Sequence, residues 1–130
     1  MLELYIIRHA ESVANKEDHL IGGRQNEVPL SSFGEEQADA LGVHYQKEGI
    51  VFDRVYASTA IRTIQTAERS LRRMCFPIEE IVKSEDFLEM SQGDWERQPK
   101  EGCYSKEMLR GLGDGILHFK APNGESQYEV

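Results

Sequence analysis

The first seven positions are almost continuously apolar: in Met1-Leu-Glu-Leu-Tyr-Ile-Ile7 only Glu3 is charged. So short a run, rich in β-branched and aromatic types, predicts a buried strand over Leu2–Ile7. It stops abruptly at Arg8-His9, and a polar stretch runs from Glu11 to Ser31. A connector of that length is usually functional. Ser32-Phe-Gly-Glu35 then has the spacing of a capping box, and Ala38, Leu41 and Tyr45 recur at helical intervals. A helix is predicted over about 33–48, with Gly49 as its stop. Phe52 to Ala57 reads as a second buried strand. Ser58 or Thr59 is expected to cap a helix to about Arg73, with Ile61, Ile64, Ala67 and Leu71 on one face. Pro77 ends that segment, and Ile78 to Leu88 forms a third extended region. Ser91 to Lys100 reads as a loop, and 104–119 as a weaker helical segment broken by Gly111, Gly113 and Gly115. No repeat or low-complexity tract interrupts this order.

Strand, helix, strand, helix, strand predicts an α/β fold with a mainly parallel sheet. Ligands of such sheets bind beyond the carboxyl ends of the strands. Arg8-His9 follows the first predicted strand, Ser58 and Arg62 the second, and Glu89 the third, so one site is expected there. At 130 residues the chain is expected to form one domain, 1–130, large enough to bury a core. The net charge of −8 argues against a non-specific nucleic-acid surface, which needs excess Lys and Arg. It leaves room for a small anionic ligand held by a local arginine cluster. Cys75 and Cys103 lack the close spacing of a zinc site and are read as free thiols. No apolar run approaches the roughly 18 residues of a membrane span. The start lacks a basic region and a cleavage site, so no membrane attachment and a cytoplasmic location are expected.

Phosphoryl transfer needs donors around the phosphate oxygens, a nucleophile in line and an acid for the leaving oxygen. Arg8 and Arg62 suit the first task, because a guanidinium matches phosphate geometry and keeps its charge. His9 suits the second. Glu89 suits the third if its surroundings raise its pKa. Each has a plainer alternative. An Arg-His pair at a strand end is commonly a surface pair, Arg62 lies on a helix beside Glu68 and Arg69, and Glu89 lies in an acidic stretch with Glu85 and Asp86. His19, His44 and His118 read as structural or exposed, and Trp95 as a packing residue.

Arg8-His-Ala-Glu-Ser-Val-Ala-Asn15 resembles the signature of the histidine phosphatase superfamily, in the branch that includes cofactor-dependent phosphoglycerate mutases. Its usual form is Arg-His-Gly-Glu-Ser/Thr-x-x-Asn, so Ala10 is a mild departure. Gly22-Gly-Arg-Gln25, Pro29 through Ala38, Leu41-Gly42, Ala57 through Ala67, Leu88 through Glu96 and Pro122 through Ser126 are similar to later family segments, in order. The resemblance implies a phosphoglycerate-mutase-like, three-layer α/β/α fold. It implies that His9 takes the phosphoryl group as phosphohistidine, that Arg8 and Arg62 grip the phosphate, and that Asn15, Ser12 and Gly22 line the pocket. Glu89 would protonate the leaving alcohol and then activate water. The scheme needs no metal and no cofactor, and its substrate would be a small phosphorylated metabolite.

Members of the family carry a second histidine well after the Gly-Glu-Ser segment, next to a strand that neighbours the first. Val130 lies four residues after Ser126, and His118, in Leu-His-Phe, precedes that segment. The expectation is therefore a fold incomplete at the C-terminus, by shortening, by proteolysis or as a natural short form. Loss of one phosphate donor typically costs about 100- to 1000-fold in rate. Unpaired sheet edges recruit strands, so a homodimer is expected as well. Metal-independent phosphomonoester hydrolysis is the leading functional reading. A mutase, a phosphohistidine-protein phosphatase and a non-catalytic phosphate-binding module are its alternatives.

Overall fold

The computed structural model describes residues 2–105 and 113–130. Its longest element is helix α1, Ser32–Glu48. The N-cap is Ser31 rather than the expected Ser32; its hydroxyl accepts the Gly34 amide at 3.0 Å. No capping box forms through Glu35. Glu11 takes that part from outside the helix: its carboxylate accepts the Ser31 hydroxyl, and its carbonyl accepts the Ser31 amide at 2.9 Å. At the other end Gly49 adopts φ 65°, and the Ile50 amide reaches back to the Tyr45 carbonyl at 3.0 Å. This is a Schellman stop, which a residue without Cβ makes at least cost.

Strand β1, Tyr56–Ser58, leads into helix α2, Ile61–Leu71, which returns to strand β2, Val82–Ser84. The strands pair in parallel, with Tyr56 opposite Val82 and Ser58 opposite Ser84. The fold is thus a mixed α/β fold with a parallel sheet, and β1–α2–β2 is its crossover unit. Both strands are shorter than expected; the third extended region is divided by 3-10 turns at Ile78–Glu80 and Glu85–Phe87. Ala57, Leu71 and Ile81 form the buried cluster, with Phe52, Val55, Ala67, Met74, Phe76 and Ile78 packed on it.

Helix α2 departs from expectation at both its cap and its face. Neither Ser58 nor Thr59 caps it; Ala60 stands at the N-cap without a side-chain bond. Its buried residues are Arg62, Thr66, Ser70 and Leu71; of the expected row Ile61, Ile64, Ala67 and Leu71 only Leu71 is fully buried, the other three being half-buried. The reason is the close approach of α1, where a Cβ on Gly42 would meet the Ser70 carbonyl oxygen at 2.3 Å. At that separation only small or hydrogen-bonded side chains fit.

The segment Leu2–Ile7 is not a buried strand. It belongs to no ladder, and Leu2, Leu4 and Ile6 are 92 %, 75 % and 89 % exposed. Its apolar pattern records a capacity for burial, but a strand also needs neighbours to take its backbone groups. The opposite face does find a partner: the Tyr5 ring meets Phe52 edge-on at 5.4 Å, and Phe52 meets Tyr45 likewise at 5.2 Å.

The chain divides into two compact units, Met1–Val13 with Asn26–Phe87, and Ala14–Gln25 with Leu88–Val130. The first contains all the elements above. The second is built from short turns around Trp95, whose ring meets Tyr104 at 5.3 Å and Phe119 at 5.8 Å. A short helix α3, Lys100–Cys103, and a 3-10 helix, Gly113–His118, belong to it. Of the helical segment expected over 104–119, residues 106–112 lie outside the described residues, and Gly113–His118 is the 3-10 helix. Among the described residues no helix is long and apolar enough to cross a membrane.

Candidate active site

The first unit carries Arg8, His9, Ser12 and Arg62, and the second carries Asn15, Gly22 and Glu89. His9 is half-buried, and its Nδ1 lies 2.7 Å from the Ala10 carbonyl oxygen. A carbonyl only accepts, so Nδ1 carries the proton in this contact and the lone pair of the neutral ring resides on Nε2. The backbone contact thereby selects the tautomer and fixes the ring plane.

Arg62, which the sequence left open to a solvated reading, is 6 % exposed in the first turn of α2. Burying a guanidinium is costly unless its donors are engaged, so this placement sets aside the solvated reading. The next turn ties it to His9. The Thr66 hydroxyl donates to the Arg62 carbonyl at 2.7 Å and accepts the Ala10 amide at 3.1 Å. The peptide after the histidine is thus fastened one turn beyond the arginine. Sequence reading missed Thr66; its signal is the i, i+4 spacing from Arg62, which puts both on one helix face. Ser12 is buried at 2 % and bridged to Leu30, and the Val13 amide bonds the Pro29 carbonyl at 3.0 Å. Arg8 is exposed.

In the second unit Asn15 sits in the 3-10 turn Val13–Lys16 and is exposed, as is Gly22. Glu89 is exposed on a loop; β2 ends five residues earlier, so the acid does not directly follow a strand. Its Oε1 accepts the Met90 amide at 3.2 Å. The loop it begins is heavily bonded. Arg24 Nε donates to the Glu89 carbonyl at 3.0 Å, while Arg24 NH2 pairs with Glu125 at 2.7 Å. The Ser91 amide donates to the same Glu125 oxygen at 2.9 Å, and the Gln92 amide to Glu96 at 3.0 Å. The Ser91 amide, and then Arg24, hold the Glu125 carboxyl below its ordinary pKa. Beside this loop is a cavity of about 150 Å³ lined by Met90, Gln92, Tyr104, Ile116, Phe119 and Lys120. Among the described residues no group of three or more His, Cys, Asp or Glu side chains is placed to hold a metal ion.

A family model described as histidine phosphatase superfamily (branch 1) matches residues 4–130. Fructose-2,6-bisphosphatase TIGAR B of Danio rerio is 34 % identical over 128 residues, covering 98 % of this chain and 48 % of its own length. Probable phosphoglycerate mutase GpmB of Serratia proteamaculans is 30 % identical, covering 100 % of this chain and 58 % of its own. The solved alpha-ribazole phosphatase of Shigella flexneri superposes with a TM-score of 0.75 at 28 % identity, covering 94 % of this chain and 58 % of that one. The chain therefore spans about half the length of the curated relatives it matches.

Proposed function

The chain belongs to the histidine phosphatase superfamily (branch 1), and from that premise we propose that it hydrolyses a phosphomonoester of a small metabolite through a phosphohistidine on His9. The observation that carries the proposal is the Nδ1–H contact of His9 to the Ala10 carbonyl, which leaves the Nε2 lone pair as the nucleophile. Nε2 attacks phosphorus, the bond from phosphorus to the alcohol oxygen breaks, and the carboxyl proton of Glu89 passes to that oxygen. Water then attacks the phosphohistidine, Glu89 takes its proton, and the phosphorus–nitrogen bond breaks to release phosphate. Two modest barriers replace one high one.

Arg8 and Arg62 neutralise the phosphate oxygens in this scheme, and Asn15, Ser12 and Gly22 complete the pocket. Burial strengthens Arg62 for that task, since a charge in a low dielectric acts more strongly on a developing charge. The mutase reading is favoured by the Serratia relative's name. It differs only in the acceptor, a second hydroxyl of the same molecule in place of water.

Incubation with phosphomonoesters should leave acid-labile phosphate on His9, and His9→Ala should abolish both that label and phosphate release. Phosphate-dependent binding without label on any ester would leave a non-catalytic phosphate-binding module instead. Recovery of an isomerised phosphoglycerate, without free phosphate, would select the mutase.

A further inference from the structure

The loop beginning at Glu89 has its backbone groups taken by side chains from two other segments of the second unit. The Glu89 carbonyl accepts Arg24 Nε at 3.0 Å, the Ser91 amide goes to Glu125 at 2.9 Å, and the Gln92 amide goes to Glu96 at 3.0 Å. The Ser91 carbonyl accepts the Glu125 amide at 2.9 Å. Arg24 and Glu125 are themselves paired at 2.7 Å. Their side chains are each 33 % exposed, and an exposed pair of this kind contributes little to stability as such. Its geometry is specific, however. One guanidinium fork engages a carbonyl with Nε and a carboxylate with NH2, and the same carboxylate oxygen grips the amide two residues beyond that carbonyl.

We propose that the Arg24–Glu125 pair is a positioning device for Glu89, holding the loop so that the acid reaches the leaving oxygen. This rests on the acid role given to Glu89 above. Glu89 is exposed and its Oε1 accepts the adjacent Met90 amide, so the backbone of its own loop sets where the carboxyl points. A general acid must come within roughly 2.6–3.2 Å of its partner, and a misplacement of about 1 Å costs up to about 100-fold. Lysine has no fork and cannot replace Arg24.

The test compares two esters in the full chain, by kcat/KM: an alkyl phosphate, whose leaving alkoxide needs a proton, and p-nitrophenyl phosphate, whose leaving group does not. Arg24→Ala, Arg24→Lys and Glu125→Gln should each lose about 10- to 100-fold on the alkyl ester and far less on the aryl ester, as Glu89→Gln should. Amide hydrogen exchange at Ser91 and Gln92 should quicken in the same variants, a readout that needs no turnover. Unchanged exchange would overturn the proposal. So would equal losses on both esters in the Arg24 and Glu125 variants while Glu89→Gln discriminates between them. Equal losses in Glu89→Gln itself would remove the acid role, and this inference with it.

Discussion

Thr66 does in one side chain what no apolar residue at that position could do. Its hydroxyl is donor to the Arg62 carbonyl and acceptor from the Ala10 amide, and it is 5 % exposed. Thr66→Val keeps the shape and removes both bonds, leaving a partly buried amide without its partner. The expected cost is about 1–3 kcal/mol, read as a lower urea midpoint at unchanged slope. Phosphohistidine formation should slow as well, because the peptide after His9 loses its anchor. Thr66→Ser, which restores the hydroxyl, should recover most of both. A Val variant as stable and as fast as the parent would show that the bond is incidental. The His9 tautomer belongs to the same scale: the residue type was evident in the sequence, but the carbonyl that selects Nε2 was not.

At the scale of elements, α1 was legible because its determinants are local. Helical spacing, a hydroxyl at the start and Gly49 at the stop all act within a few residues, and the structure moves the cap by a single position to Ser31. Leu2–Ile7 was not legible, because whether a strand is buried depends on what lies beside it. With Leu2, Leu4 and Ile6 exposed on one side, the segment offers an apolar stripe and a backbone that joins no ladder among the described residues, the combination that recruits other chains. Self-association rising with concentration is expected in sedimentation, and Ile6→Lys should suppress it, since an edge charge blocks strand addition. A monomer mass across the whole concentration range would contradict this. Helix α2 shows the converse: Leu71 of its apolar row is buried as expected, but Arg62, Thr66 and Ser70 are buried with it while Ile61 and Ile64 stay half-buried.

For the whole molecule, acid stability gives a direct check. Glu129 accepts Lys120 Nζ at 2.9 Å, the Ser126 amide at 2.9 Å and the Ser126 hydroxyl at 3.0 Å. The lysine first, then the serine donors, hold its carboxyl down at about 2 from an ordinary 4.5. The folded state therefore binds this proton less readily than the unfolded chain. The stability Glu129 contributes is fully present above about pH 4.5 and is lost as the pH falls towards 2. Urea midpoints followed through that window should fall, and Glu129→Gln should flatten part of the slope. An unchanged slope in the variant would show that other carboxylates govern acid unfolding.

The sequence by itself determined the family and the order of the parts. Arg8-His9, Arg62, Glu89 and the Gly-Glu-Ser segment stand in an order that marks the family, and the α/β alternation follows from helical spacing and short, nearly continuous apolar runs. Those signals survive in one dimension because capping, turns and side-chain spacing act over a few residues. Only the tertiary structure decided which polar groups go inside. Ser70 is buried where α1 comes close at Gly42, and Thr66 is buried with the Ala10 amide of a distant segment on its hydroxyl. Arg24 and Glu125, about a hundred positions apart along the chain, meet at the Glu89 loop for the same reason. A buried or clamped polar group is stable only with its partner, and sequence spacing does not record which partner folding supplies.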